Sequence, residues 1–406
     1  MIGDRIRRQR TQLGLSQTQL AGKEMTRAFI SQVEHGKCMP SPQTLRILAD
    51  RLGKSVSYFL DESPGDSNGI KFLWDAARLD MAKAQWNLAL PKLEQALQWA
   101  RRVENLECEA EIRSAHADCL SHLGLLSEAL DSYDEALESY RALGKAVDML
   151  KVWLEMGNCY FMLEQHAAAR RLYEKVSRQA AGLKSAQEVR ALALCYLGST
   201  RLVMGQFDES VKAYREALTE ADPQFNPVLW GRIATGLAAA YRRTGELEMA
   251  KNWSRKALER LRAVSSPRAV DAQHNLAIAH MELGQWEESY AILQSTLSQL
   301  AEQGNVVEQA NVMEDLVRYW RHKQQPDKAE ALCWQALDLL NDTDASRLRG
   351  FLYRHLGEIC IARSERKQAL GYLKISKELF RQVRAPGELM RTLDLIEAAT
   401  DLCKPT

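Results

Sequence analysis

The sequence predicts an all-α protein in which short N-terminal helices precede a long array of helical hairpins. A small residue, alanine or serine, recurs eight times at intervals of 39 to 41 residues. A glycine often stands five residues before it, and a second small residue often follows seven residues later, two helical turns along the same face. This period predicts about eight hairpins of 40 residues, each burying its apolar face against its neighbours. The recurring residues are Ala89, Ala129, Ala169, Ser210, Ala250, Ser289, Ala329 and Ala369.

The first sixty residues predict five short helices. A basic amphipathic helix is expected over residues 2–13, and Gly14 ends it. Ser16 begins the second helix, because Gln19 three residues later completes a capping box.

The third helix is expected to run from its N-cap Thr26 to about His35, with Ile30 and Val33 buried. A Ser-Pro pair at residues 41–42 begins the fourth helix, since proline is favoured at the first helical position. With Ile30 and Val33 buried, the outward-facing residues of the third helix are Thr26, Arg27, Ala28, Ser31 and Gln32.

The segment LSQTQLAGKEMTRAFISQVEHGKCMPSPQTLRILADRLGKSVSYFL resembles the Cro/repressor-type (XRE) helix-turn-helix domain. The resemblance covers residues 2–60, with one residue fewer in the turn between helices two and three than many members have. It implies that the third helix enters the major groove of DNA and reads base edges. The residues that it assigns to DNA contact are Gln17, Thr26, Arg27, Ala28, Ser31, Gln32 and Lys37.

Within this resemblance the residues have different roles. Gln17 and Lys37 would contact phosphates, whereas arginine suits guanine acceptors and glutamine suits adenine. Arg10 and Glu34 match an internal salt bridge of the family, and we expect Phe29 to be partly buried.

Charge and composition limit the remaining possibilities. The chain has 406 residues and a net charge of +1, but its first sixty residues carry ten Lys/Arg and four Asp/Glu, a balance of +6. No apolar run approaches the ~20 residues that span a bilayer, and the N-terminus lacks the apolar core of a signal peptide. We therefore expect a cytoplasmic protein without membrane contact. The eight cysteines and eight histidines show no metal-ligand spacing, so we expect no metal and no cofactor.

The polar stretch DESPGDSNG predicts a linker over residues 61–69, and the repeats are expected over 70–383. Glu164, Gln324 and Ser364 stand where other units have the turn glycine, so the sequence leaves those turns open. The two prolines of residues 221–227 predict an irregular connection. The segment 384–406 is expected to supply a helix that caps the last repeat.

The repeats resemble the tetratricopeptide repeat (TPR) in a longer-helix form. The resemblance covers about Lys71 to Arg381 and implies a right-handed superhelical solenoid whose first helices line a concave face. Amide and arginine side chains on that face suit an extended peptide, because they pair its backbone and hold its carboxylates. The alternative is an ordinary solvated polar face. The candidate peptide-binding residues are Arg232, Thr235, Arg242, His274, Asn275, Asn311, Arg318, Arg321 and Arg354.

A helix-turn-helix domain followed by such repeats resembles the RRNPP group, the peptide-pheromone-sensing regulators of Gram-positive bacteria. This resemblance implies a homodimer that binds a double-stranded DNA operator and a short imported signalling peptide. Two alternatives stay open: a regulator or scaffold whose repeats bind a protein partner such as a response regulator, and, least favoured, an enzyme. No nucleophile–base set or cofactor loop supports the enzyme.

Overall fold

The computed structural model describes residues 2–54, 56–59, 67–341 and 343–401, and the described chain is helical. The N-terminal domain has the five predicted helices, each short and joined by tight turns. They are α1 (Ile2–Gln12), α2 (Gln17–Ala21), α3 (Arg27–Glu34), α4 (Pro42–Arg51) and α5 (Val56–Phe59).

The predicted helix starts of the N-terminal domain are confirmed. Ser16 accepts a hydrogen bond from the Gln19 amide, while the Gln19 side chain accepts one from the Ser16 amide. Thr26 and Ser41 each accept a hydrogen bond from the amide three residues later. These caps satisfy backbone donors that the first helical turn would leave unpaired.

Over residues 67–341 and 343–401, the structure describes an array of sixteen paired helices and one terminal helix. They are α6 (Ser67–Ala82), α7 (Trp86–Arg102), α8 (Leu106–His122), α9 (Leu126–Ala142), α10 (Ala146–Met162), α11 (His166–Ala180), α12 (Gln187–Val203), α13 (Phe207–Glu220), α14 (Pro227–Thr244), α15 (Leu247–Ala263), α16 (Ala269–Glu282), α17 (Trp286–Gln303), α18 (Val306–His322), α19 (Pro326–Leu339), α20 (Ser346–Ala362), α21 (Arg366–Gln382) and α22 (Pro386–Asp401). A 3-10 turn, Lys184–Ala186, precedes α12.

The eight recurring small residues lie on the second helix of each hairpin, and each is between 0% and 1% exposed. They are buried where the second helix approaches the first, as the period predicts. A larger side chain at this position would force the helices apart, because protein interiors have almost no free volume.

The turn inside each hairpin uses a left-handed residue whether or not glycine is present. Gly124 and Gly245 have φ of 79° and 85°, and Glu164, Gln324 and Ser364 have φ of 59°, 53° and 64°. The turns that the sequence left open therefore have the same geometry as the glycine turns. A side chain in this region costs about 1–2 kcal/mol, which the packing of the hairpin offsets.

The chain forms two compact units, residues 1–193 and 194–406. In the first unit, one hydrophobic cluster contains core residues of the N-terminal domain, such as Ile30 and Leu45, together with Leu73 and Leu93 of the first hairpin. Residues 61–66 of the predicted linker lie outside the described residues, but residues 67–69 are helical and begin α6.

In the second unit, the predicted irregular connection at residues 221–227 is a turn closed by its own side chains. Asp222 Oδ1 accepts hydrogen bonds from the amides of Gln224 and Phe225, at 2.8 and 3.3 Å, and Asn226 caps α14. The terminal helix α22 packs on α21 and buries Thr392 and Ala399. Residues 402–406 of the predicted capping segment lie outside the described residues.

Two serines at the recurring small position differ in one respect, which gives a stability test. The hydroxyl of Ser289 is buried without a hydrogen-bond partner among the described residues, whereas Ser210 Oγ donates to the Gly198 carbonyl at 2.7 Å. We expect Ser289→Ala to stabilise the protein by roughly 1 kcal/mol, because it removes an unpaired buried hydroxyl. Ser210→Ala is the matched control and should destabilise by a similar amount. Urea denaturation measures both, and a loss of stability in Ser289→Ala would contradict the assignment.

Candidate DNA-binding and ligand-binding sites

The outer surface of α3 carries the residues that were predicted to read DNA. Thr26, Arg27, Ala28 and Gln32 are exposed, and Ser31 is half-buried. Lys37, just after the helix, is also exposed. Phe29 is partly buried against the core, as expected from the sequence.

A buried carboxylate, Glu34, holds α3 against α1 and α2. Arg10 Nε lies 2.5 Å from Glu34 Oε1, and Arg10 Nη1 donates to the Leu15 carbonyl at 2.7 Å, so the predicted salt bridge is confirmed. Gln17, predicted as a phosphate contact, donates through Nε2 to Glu34 Oε2 at 2.8 Å. Burial by itself would raise the pKa of Glu34, but the hydrogen bonds from Arg10 and Gln17 outweigh it and lower that pKa.

Helices α14 and α16 carry the first group of predicted ligand-binding residues. Arg242 Nη1 donates to Glu282 Oε1 of α16 at 3.0 Å. Thr235 donates to the Gly231 carbonyl within α14 at 2.8 Å. Arg232 lies over the ring of Tyr196, 4.8 Å from its centroid.

Helices α16 and α18 are joined through Asp315, which is buried between a histidine and an arginine. His274 Nε2 lies 2.8 Å from Asp315 Oδ2, and Arg318 Nη1 lies 2.6 Å from Asp315 Oδ1. Burial would raise the pKa of Asp315, but these two partners lower it. Asn275 is half-buried, and Asn311 donates to Glu308 within its own helix at 3.1 Å.

Helices α18 and α20 are joined by a network centred on the buried His355. Its Nε2 lies 2.6 Å from Glu314 Oε1, and its Nδ1 lies 3.2 Å from Glu358 Oε2. Arg321 Nη1 contacts Glu358 Oε2 at 2.5 Å and His355 Nδ1 at 2.7 Å. Burial would lower the pKa of His355, but the two glutamates outweigh it and raise that pKa.

A cavity of about 640 Å³ opens beside this network. Arg318 and Arg321 line it together with His355 and Glu358, and Pro326 and Ile359 add apolar surface. The structure therefore brings two of the predicted ligand-binding arginines, Arg318 and Arg321, to one cavity.

Another arginine of the predicted set, Arg354, does not line this cavity. Its Nη1 donates to Glu388 Oε2 of α22 at 2.5 Å, and its guanidinium lies 4.9 Å from the Phe351 ring centroid. The terminal helix thus supplies a carboxylate within reach of Arg354, which the sequence had placed among the candidate peptide-binding residues.

His355 was not predicted to take part in the ligand-binding groove, yet it forms part of the cavity wall. A signal for His355 was present in the repeat. It stands two residues before Gly357, as Asp315 stands two residues before Val317 in the preceding unit. Aligning the units position by position would have identified His355 as a groove residue. The search of the histidines for metal-ligand spacings did not identify it.

The described residues hold no group of three or more His, Cys, Asp or Glu side chains that could bind a metal ion. Over the same part of the chain, no helix is long and apolar enough to cross a membrane.

Comparisons with known proteins agree with this architecture. The family described as MalT-like TPR region matches residues 149–402, and a helix-turn-helix family matches residues 6–59. No curated protein sequence is significantly similar to the chain.

Solved structures share the repeat fold. The apo form of the quorum sensor NprR from B. thuringiensis has a TM-score of 0.61 at 18% identity, over 78% of this chain and 85% of that one. The apo form of RapI has a TM-score of 0.58 at 9% identity, over 68% of this chain and 99% of that one. These identities establish similarity of fold alone.

The His355 network predicts a loss of stability at alkaline pH. A raised folded pKa means that the contribution of His355 is complete below its unfolded pKa of 6.5 and is lost as pH rises through the folded value. Each unit of difference corresponds to about 1.4 kcal/mol. The charged groups that face His355 are Glu314, Glu358 and Arg321, of which only Arg321 opposes protonation.

Urea denaturation between about pH 6 and about pH 9 tests this expectation. The wild type should lose more stability over this range than His355→Gln, which does not titrate there. Equal losses in the two proteins would show that folding does not raise the pKa of His355.

Proposed function

Since the chain belongs to the MalT-like TPR region family and carries an N-terminal helix-turn-helix domain, we propose that it is a sequence-specific DNA-binding transcriptional regulator whose repeats bind a short signalling peptide. By analogy with the quorum sensor NprR, we propose that this peptide is a quorum-sensing signal. We further propose that it acts in the cytoplasm as a homodimer, because helix-turn-helix dimers read two half-sites separated by whole turns of DNA.

The exposed face of α3 is the observation that carries the DNA-binding proposal. Arg27, Ala28 and Gln32 are exposed side by side on a helix whose base is fixed by the buried Glu34 network. A recognition helix needs this combination, because base readout depends on a rigid helix with free side chains at its N-terminal end. The Gln17 side chain supports the helix from inside, which leaves Lys37 as the phosphate contact that we propose.

The cavity beside Arg318 and Arg321 supports the ligand-binding proposal. The hydrogen bonds that these arginines make to described residues run through Nη1, so their remaining N–H groups can bind an added carboxylate. Apolar surface from Pro326 and Ile359 lies next to these charges. A concave site with charged and apolar walls suits a short peptide. A protein partner with a flat surface would instead need a broad charged face.

Binding at the repeats needs to change operator affinity by only about 1–3 kcal/mol to act as a switch. A ligand can do so by binding the DNA-competent form of the dimer more or less tightly than the other form. The matched families are regulatory and binding families, and they give no support to an enzymatic role.

Arg27→Ala tests the DNA-binding proposal. An operator is first selected from random duplexes with the wild-type protein, and binding is then measured on this operator and on a scrambled duplex. We expect a loss of roughly 1–3 kcal/mol on the operator and a much smaller loss on the scrambled duplex, because a base contact is removed. Arg46→Ala, at an exposed position of α4, is the matched control for net charge and should weaken both duplexes alike. Equal losses in Arg27→Ala would make Arg27 a phosphate contact only.

Arg318→Gln and Arg321→Gln test the peptide proposal. Short synthetic peptides are screened for binding by fluorescence anisotropy, and the best binder is then titrated as its free acid and as its C-terminal amide. We expect each variant to weaken the free acid about tenfold or more, because a charge-assisted hydrogen bond is lost. Arg381→Gln, on the exposed surface of α21, is the control and should bind as the wild type does. Equal affinity for the acid and the amide would overturn the role of these arginines in carboxylate recognition.

A further inference from the structure

A second cavity in the residue 194–406 unit has a chemistry of its own. It has a volume of about 490 Å³ and lies among α12, α13 and α14 and the start of α16. Two guanidinium groups line it, those of Arg232 and Arg268, together with the hydroxyls of Ser199, Tyr214 and Thr235. Its wall is therefore rich in hydrogen-bond donors.

Arg232 is the feature of this cavity that the fold does not explain. Its Nε and Nη2 atoms are buried and have no hydrogen-bond partner among the described residues. Its guanidinium lies over the Tyr196 ring and also interacts by hydrogen bonding with the Tyr196 and Cys195 side chains, yet Nε and Nη2 stay unpaired. Buried donors of a charged group are seldom left unpaired in native proteins, and such a group calls for a partner from outside the chain.

The neighbours of Arg232 do not neutralise its charge. Burial raises the pKa of the Cys195 thiol and of the Tyr214 phenol, so both are uncharged at neutral pH. Ser199 and Tyr214 bond to each other at 2.7 Å, and Thr235 bonds to its own helix.

One carboxylate, Asp271, lines the cavity, three residues after Arg268. Neither Nε nor Nη2 of Arg232 reaches it. Two guanidinium groups face one carboxylate, which leaves the cavity with an excess positive charge.

We propose that this cavity binds an oxyanion, a carboxylate or phosphoryl group, with Arg232 as its principal ligand. The planar fork of a guanidinium matches two oxygens of either group, and a second guanidinium, that of Arg268, lines the same cavity. This inference rests on the proposed function only where the oxyanion belongs to a peptide. A free phosphoryl compound would use the same contacts.

Thermal unfolding of the full-length protein tests the proposal. The probes are inorganic phosphate and acetyl-glutamyl-amide, with sodium chloride at equal ionic strength and acetyl-glutaminyl-amide as references. A ligand that binds only the folded state raises the unfolding temperature in a concentration-dependent manner. We expect such a rise with at least one oxyanion probe and none with its reference.

Arg232→Met separates a ligand-binding role from a structural one. Without a probe, this variant should unfold at a higher temperature than the wild type, because methionine removes an unpaired buried charge. It should also bind the effective probe at least about tenfold more weakly. Arg243→Met is the matched control, since Arg243 is exposed on the same helix, and it should change neither property. Asp271→Asn should strengthen binding, because it removes the carboxylate that opposes the oxyanion.

The outcomes distinguish the sources of the oxyanion. A response to acetyl-glutamyl-amide alone supports an acidic peptide group, and a response to phosphate alone supports a phosphoryl compound. Failure of both probes, an equal response in wild type and Arg232→Met, or a lower unfolding temperature of free Arg232→Met would overturn the proposal. None of these measurements uses DNA or the signalling peptide. The proposal of an oxyanion site can therefore be rejected while the proposal of a transcriptional regulator stands, and the reverse also holds.

Discussion

The fold depends on the close approach of two helices at one small residue in every hairpin. At that point the second helix carries alanine or serine, and in three of the eight hairpins a tyrosine follows four residues later. The first helix makes room for the ring with glycine: a Cβ on Gly157 would lie 2.5 Å from the Tyr173 ring, and one on Gly198 would lie 2.8 Å from the Tyr214 ring. Small and large residues thus fill one interface at the density of a protein interior. Because the small residue on the second helix recurs in each unit, the array can be read from the sequence as a period.

The same period determines which polar side chains meet. His274 pairs with Asp315 and Glu314 pairs with His355, and the members of both pairs are 41 residues apart. Side chains that are one repeat plus one residue apart therefore pair with each other, and these pairs connect the outward faces of neighbouring first helices. In each pair, a charged partner replaces the water that a polar side chain loses when it is buried. The free-energy cost of burying that side chain is therefore lower. These pairs hold successive first helices together, so the lining of the ligand cavity is also part of the structure.

The sequence predicted what local chemistry and the period determine. The caps at Ser16 and Thr26 and the burial of Ala250 follow from side-chain type and position alone. The start of α6 was missed, because Ser-Asn-Gly favours a turn locally, whereas Gly69 lets α6 approach Trp99 so closely that a Cβ would lie 2.7 Å from its ring. Packing with a distant residue outweighed local preference there, and no short window contains that information.

The partners of the arginines were the least predictable part of the candidate sites. A groove position can be assigned from the repeat, but its chemistry depends on the side chain that another hairpin places opposite. Arg242 meets Glu282, 40 residues away, and Arg354 meets Glu388, 34 residues away, so both are held by the fold. Arg232 instead lies over the ring of Tyr196, 36 residues earlier, and its Nε and Nη2 atoms have no hydrogen-bond partner among the described residues. Arginines that look alike in the sequence thus differ in what they can bind. The residue that determines this difference is the partner side chain, which lies about one repeat away along the chain.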